Sequence, residues 1–442
     1  MDIYNLVSFG GLFVLMALAW LASANRRLVN WRCLGWGVAL QLGLGLLVFW
    51  LPGSRQAFLW LNDAVIKVLA ASMEGQKFLF GPLALGPGQV GEAGEKSIGF
   101  ILAIQALPVI VFFAALMGLL YYWRLMPLII RGFAWLFTRL MRVSGAESLC
   151  TAANIFVGIE SMTTIRPHLA RMTRSEFCTI LTAGMATVAS STLGVYVLFL
   201  KDTFPTIAGH LISASIMSAP AALVMSKLLL PEDGQPVTLG RTVDVAYERE
   251  SSAVESIING AMAGVKLVVG VCALLLAFLG LLALVNLGLG GLSHVLAQLF
   301  GVQVDLSLST LLGYLMWPLA VVMGVPPQDA MAAARLLGER LVITELPAYQ
   351  HLATALEAGA FSHPRSPVLV AYALCGFAHV ASLAIFVGGA AALVPERRKD
   401  LAAVGFRALV AATLACLMTG CVAGTFFHAA ETVISNPVGA AP

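Results

Sequence analysis

Long apolar runs constrain this chain more than any other feature. A helix needs about 20 apolar residues to cross a bilayer. Eight segments supply them: 6–24, 34–51, 100–123, 179–200, 207–230, 265–287, 368–393 and 401–427. Only 11% of the 442 residues are charged and 59% are hydrophobic, whereas soluble domains carry about 25% charged residues. The expected class is therefore an all-α polytopic membrane protein, one bundle rather than a string of soluble domains. A net charge of +3 gives no support to nucleic-acid binding. The seven cysteines lack metal-ligand spacing, and their odd number argues against a disulfide framework. The first apolar run has neither a basic leader nor a small-residue cleavage site, so it reads as a retained first helix.

Lysine and arginine in short loops mark the cytoplasmic side. Arg26, Arg27 and Arg32 separate the first two runs, Arg124, Arg131, Arg139 and Arg142 follow the third, and Arg397, Arg398 and Lys399 separate the last two. All three groups share one side if both termini face outward, and the polar stretch 232–255 then falls inside as well. Segments 125–141 and 56–73 are amphipathic enough to lie at the interface.

Two regions fit no simple span. Residues 145–161 hold Glu147, Asn154 and Glu160 among small and apolar neighbours, and residues 308–349 hold Asp329, Glu339, Arg340 and Glu345. Each is too interrupted to cross lipid once and too apolar for a solvated loop. Re-entrant hairpins solve this, because broken backbone at membrane depth survives only where it lines a protected cavity. A short repeat accompanies them. Gly-Met-Ala-Thr-Val-Ala-Ser at 184–190 and Gly-Phe-Ala-His-Val-Ala-Ser at 376–382 agree at five of seven positions, each just downstream of one hairpin. An inverted repeat with broken helices is the pattern of a secondary transporter whose site lies at the midplane. The expected organisation is a scaffold at 1–97, a first repeat at 98–230 with its hairpin near 143–168, a cytoplasmic loop at 231–256, and a second repeat at 257–442 with its hairpin near 308–350.

Charged side chains at the centre of a spanning helix cost about 2.5–3.5 kcal/mol on insertion scales, so Glu160 and Glu345 need a reason to be there. Either they accept hydrogen bonds from a polar substrate, or they cap free amides at their own hairpin tips. Asn154 precedes a stretch where a helix would end and expose carbonyls, which suits a sodium ion. Thr187 adds a hydroxyl nearby, unless it bonds back to its own helix. His379 takes the repeat position of Thr187 and is open to three roles: packing, proton carriage or substrate contact. Ser382 lies one turn on, and Phe377 offers either a stacking surface or ordinary packing. Glu339 and Arg340 are expected to pair locally or to gate the cavity.

The stretch Glu-Ser-Leu-Cys-Thr-Ala-Ala-Asn-Ile-Phe-Val-Gly at 147–158, with Ile-Arg-Pro-His-Leu at 165–169 and Met-Thr-Arg-Ser-Glu at 172–176, resembles the first hairpin region of the concentrative nucleoside transporters. The segments 215–232, 338–345 with Ala348 and Tyr349, and 372–378 through 395–398 are similar to further stretches of that family. The resemblance runs from about residue 76 to the end. It implies eight spanning helices, two re-entrant hairpins, a homotrimer in the bacterial cytoplasmic membrane, and inward nucleoside transport coupled to sodium or protons, without other cofactors. It implies that Glu160 with Ser161 holds the base, and that Thr344, Glu345, Phe377, His379 and Ser382 complete the substrate site around the ribose. Its sodium ligands correspond to Asn154, Val157, Thr187 and Val188.

The departures are local. The family reads Gly-Gln-Thr-Glu at the first tip, whereas this chain has Gly158-Ile159-Glu160 and is one residue shorter. Thr344 stands where asparagine is common, and His379 replaces an asparagine that contacts ribose. Base preference and coupling ion are therefore left open. A modified nucleoside, a free base or another polar metabolite is the close alternative. A channel and an intramembrane enzyme are more remote, the latter because neither HExxH nor GxSxG is present.

Overall fold

The computed structural model describes residues 2–50, 52–86, 89–91, 94–246, 250–300 and 306–428; the end of the chain, expected to face outward, lies outside them. Seventeen α-helices and no named β-strand occur among the described residues. Seven helical stretches are long and apolar enough to cross a membrane, and two shorter apolar helices join them.

Helices α1 (Ile3–Leu21), α2 (Trp31–Phe49) and α3 (Pro52–Phe80) come first. The segment expected at the interface, 56–73, is thus the middle of a longer helix. A π turn at Leu102–Ala106 leads into α4 (Pro108–Tyr122), followed by the amphipathic α5 (Leu125–Met141). Arg124 and Arg142 flank α5 in the left-handed region, with φ of 61° and 53°, so the chain turns sharply at both ends. A helical hairpin comes next: α6 (Gly145–Asn154), a 3-10 turn at Ile159–Ile165, and α7 (Arg166–Leu169). Then come α8 (Arg174–Ala186), α9 (Ser190–Leu200), α10 (Ile207–Leu229) and α11 (Ala253–Phe300). Both α6 and α8 start on capping boxes, Ser144 with Glu147 and Thr173 with Glu176, which satisfy orphan amides reciprocally.

The same order of elements then recurs. Helix α12 (Leu308–Val322) corresponds to α5, and the hairpin of α13 (Pro327–Val342) and α14 (Glu345–Glu357) to the first hairpin. The expected second hairpin at 308–350 therefore begins later than the sequence suggests, after a separate helix. The pair α15 (Arg365–Leu374) and α16 (Val380–Leu393) corresponds to α8 and α9, and α17 (Arg398–Phe426) to α10. The two spans read as continuous at 179–200 and 368–393 are in fact broken, one around residues 187–189 and the other around 375–379. Both breaks fall inside the repeated heptapeptide. Apolar run length does not register such a break, because the unwound residues are as apolar as their helical neighbours.

Helices α4 and α11, one leading each repeat, lie in close contact. A methyl group at Gly264 would sit 2.7 Å from the Val111 backbone, so the small residue lets the helices approach as closely as they do. Most of α11 faces away from the remainder of the chain.

The basic loops gather at one end of the bundle. Arg32 donates to the carbonyls of Leu140 (3.0 Å) and Arg139 (3.1 Å) at the end of α5. Arg397 donates to Ala170 (2.9 Å) and Met172 (2.8 Å) behind the first hairpin. Lys227, only 4% exposed, meets Glu147 at 2.8 Å. At the opposite end Arg365 is buried against Asn5 (2.8 Å) and the Gly424 carbonyl (3.0 Å), and Asn5 donates to Phe427 (3.1 Å). The start of α1 and the end of α17 therefore share the face away from the basic loops.

Candidate functional site

The two hairpin tips face one cavity of about 720 Å³. Glu160 lines it from the first hairpin, and Thr344 and Glu345 from the second; Phe377, His379 and Ser382 line it from the break between α15 and α16. The second tip turns at Ile343–Thr344, so Glu345 opens α14.

Gly376, in the unwound segment of the second repeat, has a φ of +148°. A methyl group there would lie 2.7 Å from the carbonyl oxygen of Ala186 and from Cys416 Sγ. The two broken helices thus meet at their breaks, which needs glycine. The turn delivers His379 as the N-cap of α16, its Nδ1 accepting the Ser382 N–H at 3.2 Å. That bond fixes the neutral tautomer with the proton on Nε2. Nε2 lies 2.9 Å from Glu345 Oε2 and 2.8 Å from Ser382 Oγ. The other carboxylate oxygen of Glu345 accepts from Tyr196 on α9 at 2.7 Å. Tyr196 stacks on Tyr349, with ring centroids 4.5 Å apart, and Tyr349 donates to Ala371 O at 2.8 Å. Glu345 is therefore a buried carboxylate hydrogen-bonded through one oxygen, while its other oxygen lies close to His379 Nε2 and, like the neighbouring Thr344 hydroxyl, is buried without a hydrogen-bond partner.

Glu160 is different. Its side chain is exposed to the cavity, and no hydrogen bond or ion pair to its carboxylate is found among the described residues. It borders a second cavity of about 1070 Å³ as well, which runs along Thr163, Ala246, Glu250 and Asn259 toward the end that carries the basic loops. Neighbouring Ser161 is fully buried and donates to Asn154 Oδ1 at 2.9 Å instead of facing the cavity.

Asn154 ends α6, with its Nδ2 donating to Cys150 O at 3.0 Å. Thr187 caps α8 and donates back to Ala183 O at 2.8 Å, which is the local bond weighed above; its oxygen keeps a lone pair. Ser215 on α10 joins the two segments: it donates to Ile155 O (3.0 Å) and Val188 O (3.4 Å). Ser190 N–H adds a bond to Phe156 O at 2.9 Å. The tip around Asn154 and Val157 is thereby tied to the Thr187–Val188 break, a neighbourhood of neutral oxygens that suits an alkali cation.

Glu339 and Arg340 do not pair, which removes the first of the two roles expected for them. Glu339 meets His351 of α14 at 2.8 Å. Arg340 points into the protein, 1% exposed, and donates to Ala373 O near the end of α15. Successive helix residues project about 100° apart, so neighbours in sequence rarely share a face. Sequence reasoning also missed Tyr196, Tyr349 and Ser215. Tyr349 had a signal, lying four residues after Glu345 on one helix face. Tyr196 and Ser215 had none, since their partners are distant in sequence.

Comparison with known proteins follows the same division of the chain. Models of the Na+ dependent nucleoside transporter N-terminus and C-terminus match residues 10–83 and 210–424, and a nucleoside recognition gate model matches residues 103–203. The chain is 37% identical over 434 residues, 95% of its length, to solute carrier family 28 member 3 of Mus musculus. It is 37% identical over 437 residues to sodium/nucleoside cotransporter 1 of the same species. It spans only 58% and 64% of those two proteins. With the uncharacterized transporter YutK of Bacillus subtilis (strain 168) it shares 36% identity, covering 94% of this chain and 98% of that one. CNTnw in an inward-facing substrate-bound state superposes with a TM-score of 0.85 at 35% identity, over 96% of this chain and 98% of that one. A doubly substituted CNTnw in an outward-facing state gives 0.86 at 36%, with the same coverage. With paired hairpins and broken helices, matched over nearly its whole length, the chain belongs to the Na+-dependent, concentrative nucleoside transporter family.

Proposed function

We propose that this chain carries nucleosides inward across the bacterial cytoplasmic membrane by alternating access, in symport with sodium. The observation that carries the proposal is the convergence of Glu160 and Glu345, from hairpins in different repeats, on one cavity bordered by a helix break. The donor and acceptor set of Glu345, His379, Ser382 and Thr344 suits the ribose hydroxyls, with Phe377 beside them. Glu160, on the far hairpin, meets the base. Asn154 and the carbonyl of Val157, with Thr187 and Val188, hold the sodium ion. Ser161 acts through Asn154. The hairpins are re-entrant from opposite leaflets, the two repeats move against the N-terminal helices, both termini face outward, and the working unit is a homotrimer.

Family membership supports transport over a channel or an enzyme. The energetics suffice with one ion: a charge falling through 100 mV releases about 2.3 kcal/mol, enough for roughly a 50-fold substrate gradient. The second cavity, leading from Glu160 toward the polar stretch, supports an inward-open arrangement. Proton coupling is the second reading, favoured by the His379–Glu345 contact inside the site. Counterflow of radiolabelled nucleosides in proteoliposomes, under imposed sodium or proton gradients, tests both. Uptake driven by sodium alone supports the proposal; uptake driven by protons alone replaces sodium; no uptake of any nucleoside overturns it.

A further inference from the structure

We infer that the base end of this site selects guanine-type nucleosides, whose edge presents two adjacent N–H donors; the inference rests on the nucleoside reading above. The polar groups of the main cavity fall into two sets. Around Glu345, the His379 Nε2 proton and the Ser382 and Thr344 hydroxyls mix donors with acceptors, as a polyol requires. On the main-cavity side the polar neighbours of Glu160 are few, Ser191 and Thr192, whereas Thr163, Glu250 and Asn259 line the second cavity. Gly158, Ser191 and Leu267 accompany Glu160 into both cavities, and Ile159 precedes it at the tip.

No asparagine, glutamine, lysine or arginine lines the main cavity among the described residues. Its histidine is committed to Glu345 and Ser382. Within the main cavity a base at this end therefore meets a carboxylate, which only accepts hydrogen bonds, and the Ser191 hydroxyl, which can donate one; the Thr192 hydroxyl donates to Ala189 O at 2.9 Å.

Guanine matches that set. Its ring N–H and exocyclic amino group can bind the two carboxylate oxygens in parallel, the bidentate arrangement that makes such bonds strong and directional. Its 6-oxo group is then left for the Ser191 hydroxyl. Hypoxanthine keeps the ring N–H and the oxo group but lacks the amino group, so one carboxylate contact is lost. Adenine and cytosine set a ring-nitrogen acceptor beside their amino group, facing the carboxylate. Uracil and thymine place their ring N–H between two carbonyls. A site built to receive an N–H discriminates against analogues lacking it, because its own polar group stays unpaired. The loss of one bond to a charged group corresponds to about tenfold or more.

The test is competition in sodium-loaded proteoliposomes, with guanosine, inosine, adenosine, cytidine and uridine each displacing a labelled nucleoside that the protein transports. Guanosine is expected to inhibit at concentrations at least tenfold below inosine, a pair that differs only in the amino group. In Glu160→Gln, whose amide also donates, the guanosine-to-inosine ratio should shrink to threefold or less. If that variant transports nothing, the wild-type ratio decides. Transport with inosine equal to or better than guanosine overturns this inference and leaves the proposed function standing. So does a ratio that Glu160→Gln leaves intact. No transport of any nucleoside overturns both.

Discussion

Replacing Glu345 by glutamine separates the charge of the site from its shape. The carboxylate accepts from Tyr196 at 2.7 Å and lies 2.9 Å from His379 Nε2. Because Nδ1 of His379 is taken by the Ser382 amide, the ring's N–H is at Nε2, which lies between Glu345 Oε2 at 2.9 Å and Ser382 Oγ at 2.8 Å. A glutamine can turn its oxygen to His379 and its amino group to the Tyr196 hydroxyl, which can accept. Packing and fold are thus preserved, and the melting temperature should move by no more than a few degrees. What disappears, on the role proposed for Glu345, is a charged acceptor for a sugar hydroxyl. Exchanging it for a neutral one costs about 2 kcal/mol, or roughly 30-fold in apparent affinity. Sodium-driven uptake into proteoliposomes, with substrate concentration varied, measures the loss, and thermal unfolding of the purified protein checks the fold. Glu339→Gln is the control: its partner His351 is more than half exposed, and a pair of that kind contributes about 0–1 kcal/mol. Uptake by Glu345→Gln within threefold of the parent would refute a substrate-binding role for this carboxylate.

Three further outcomes are expected. Asn154→Ala should raise the sodium concentration for half-maximal uptake about tenfold, the loss of one ligand contact worth about 1.4 kcal/mol; an unchanged sodium dependence removes Asn154 from the ion site. Lys227→Met strands Glu147, 1% exposed, without its counter-charge. That should destabilise the protein by about 3–5 kcal/mol, with most of the loss recovered by adding Glu147→Gln; equal melting temperatures for the single variant and the parent would contradict this. Gly376→Ala forces a Cβ to within 2.7 Å of Ala186 O at a φ of +148°, for a strain of about 1–3 kcal/mol where the two breaks meet. Both uptake and stability should fall, whereas Gly388→Ala, which meets nothing within 4 Å, should leave stability unaltered.

Much of the fold was legible because lipid imposes one length scale on every span. The amphipathic segment 125–141 matches α5 to the residue. The two interrupted regions became helical hairpins, whereas the breaks inside the repeated heptapeptides do not show in the sequence, because the spans there read as continuous. The boundaries inside the second region were not legible, since α12 and α13 are separated only by a short turn at residues 323–326. Within the candidate site, carboxylates stood out because charge at membrane depth is expensive. Tyr196 and Ser215 did not, being ordinary residues in apolar helices until their partners are known.

By itself, then, the sequence determined the solvent, most of the spans, the paired interruptions and the two acidic tips, all of them properties of composition and spacing along one strand of chain. The tertiary structure decided what each charge meets. Arg340 turned from Glu339 to a helix-end carbonyl, Lys227 found Glu147 across 80 residues, Glu345 was locked by Tyr196 and His379, and Glu160 was left facing the cavity. Side-chain electrostatics act over a few ångströms, and residues that close are set by how helices pack, a relation that one-dimensional spacing does not carry.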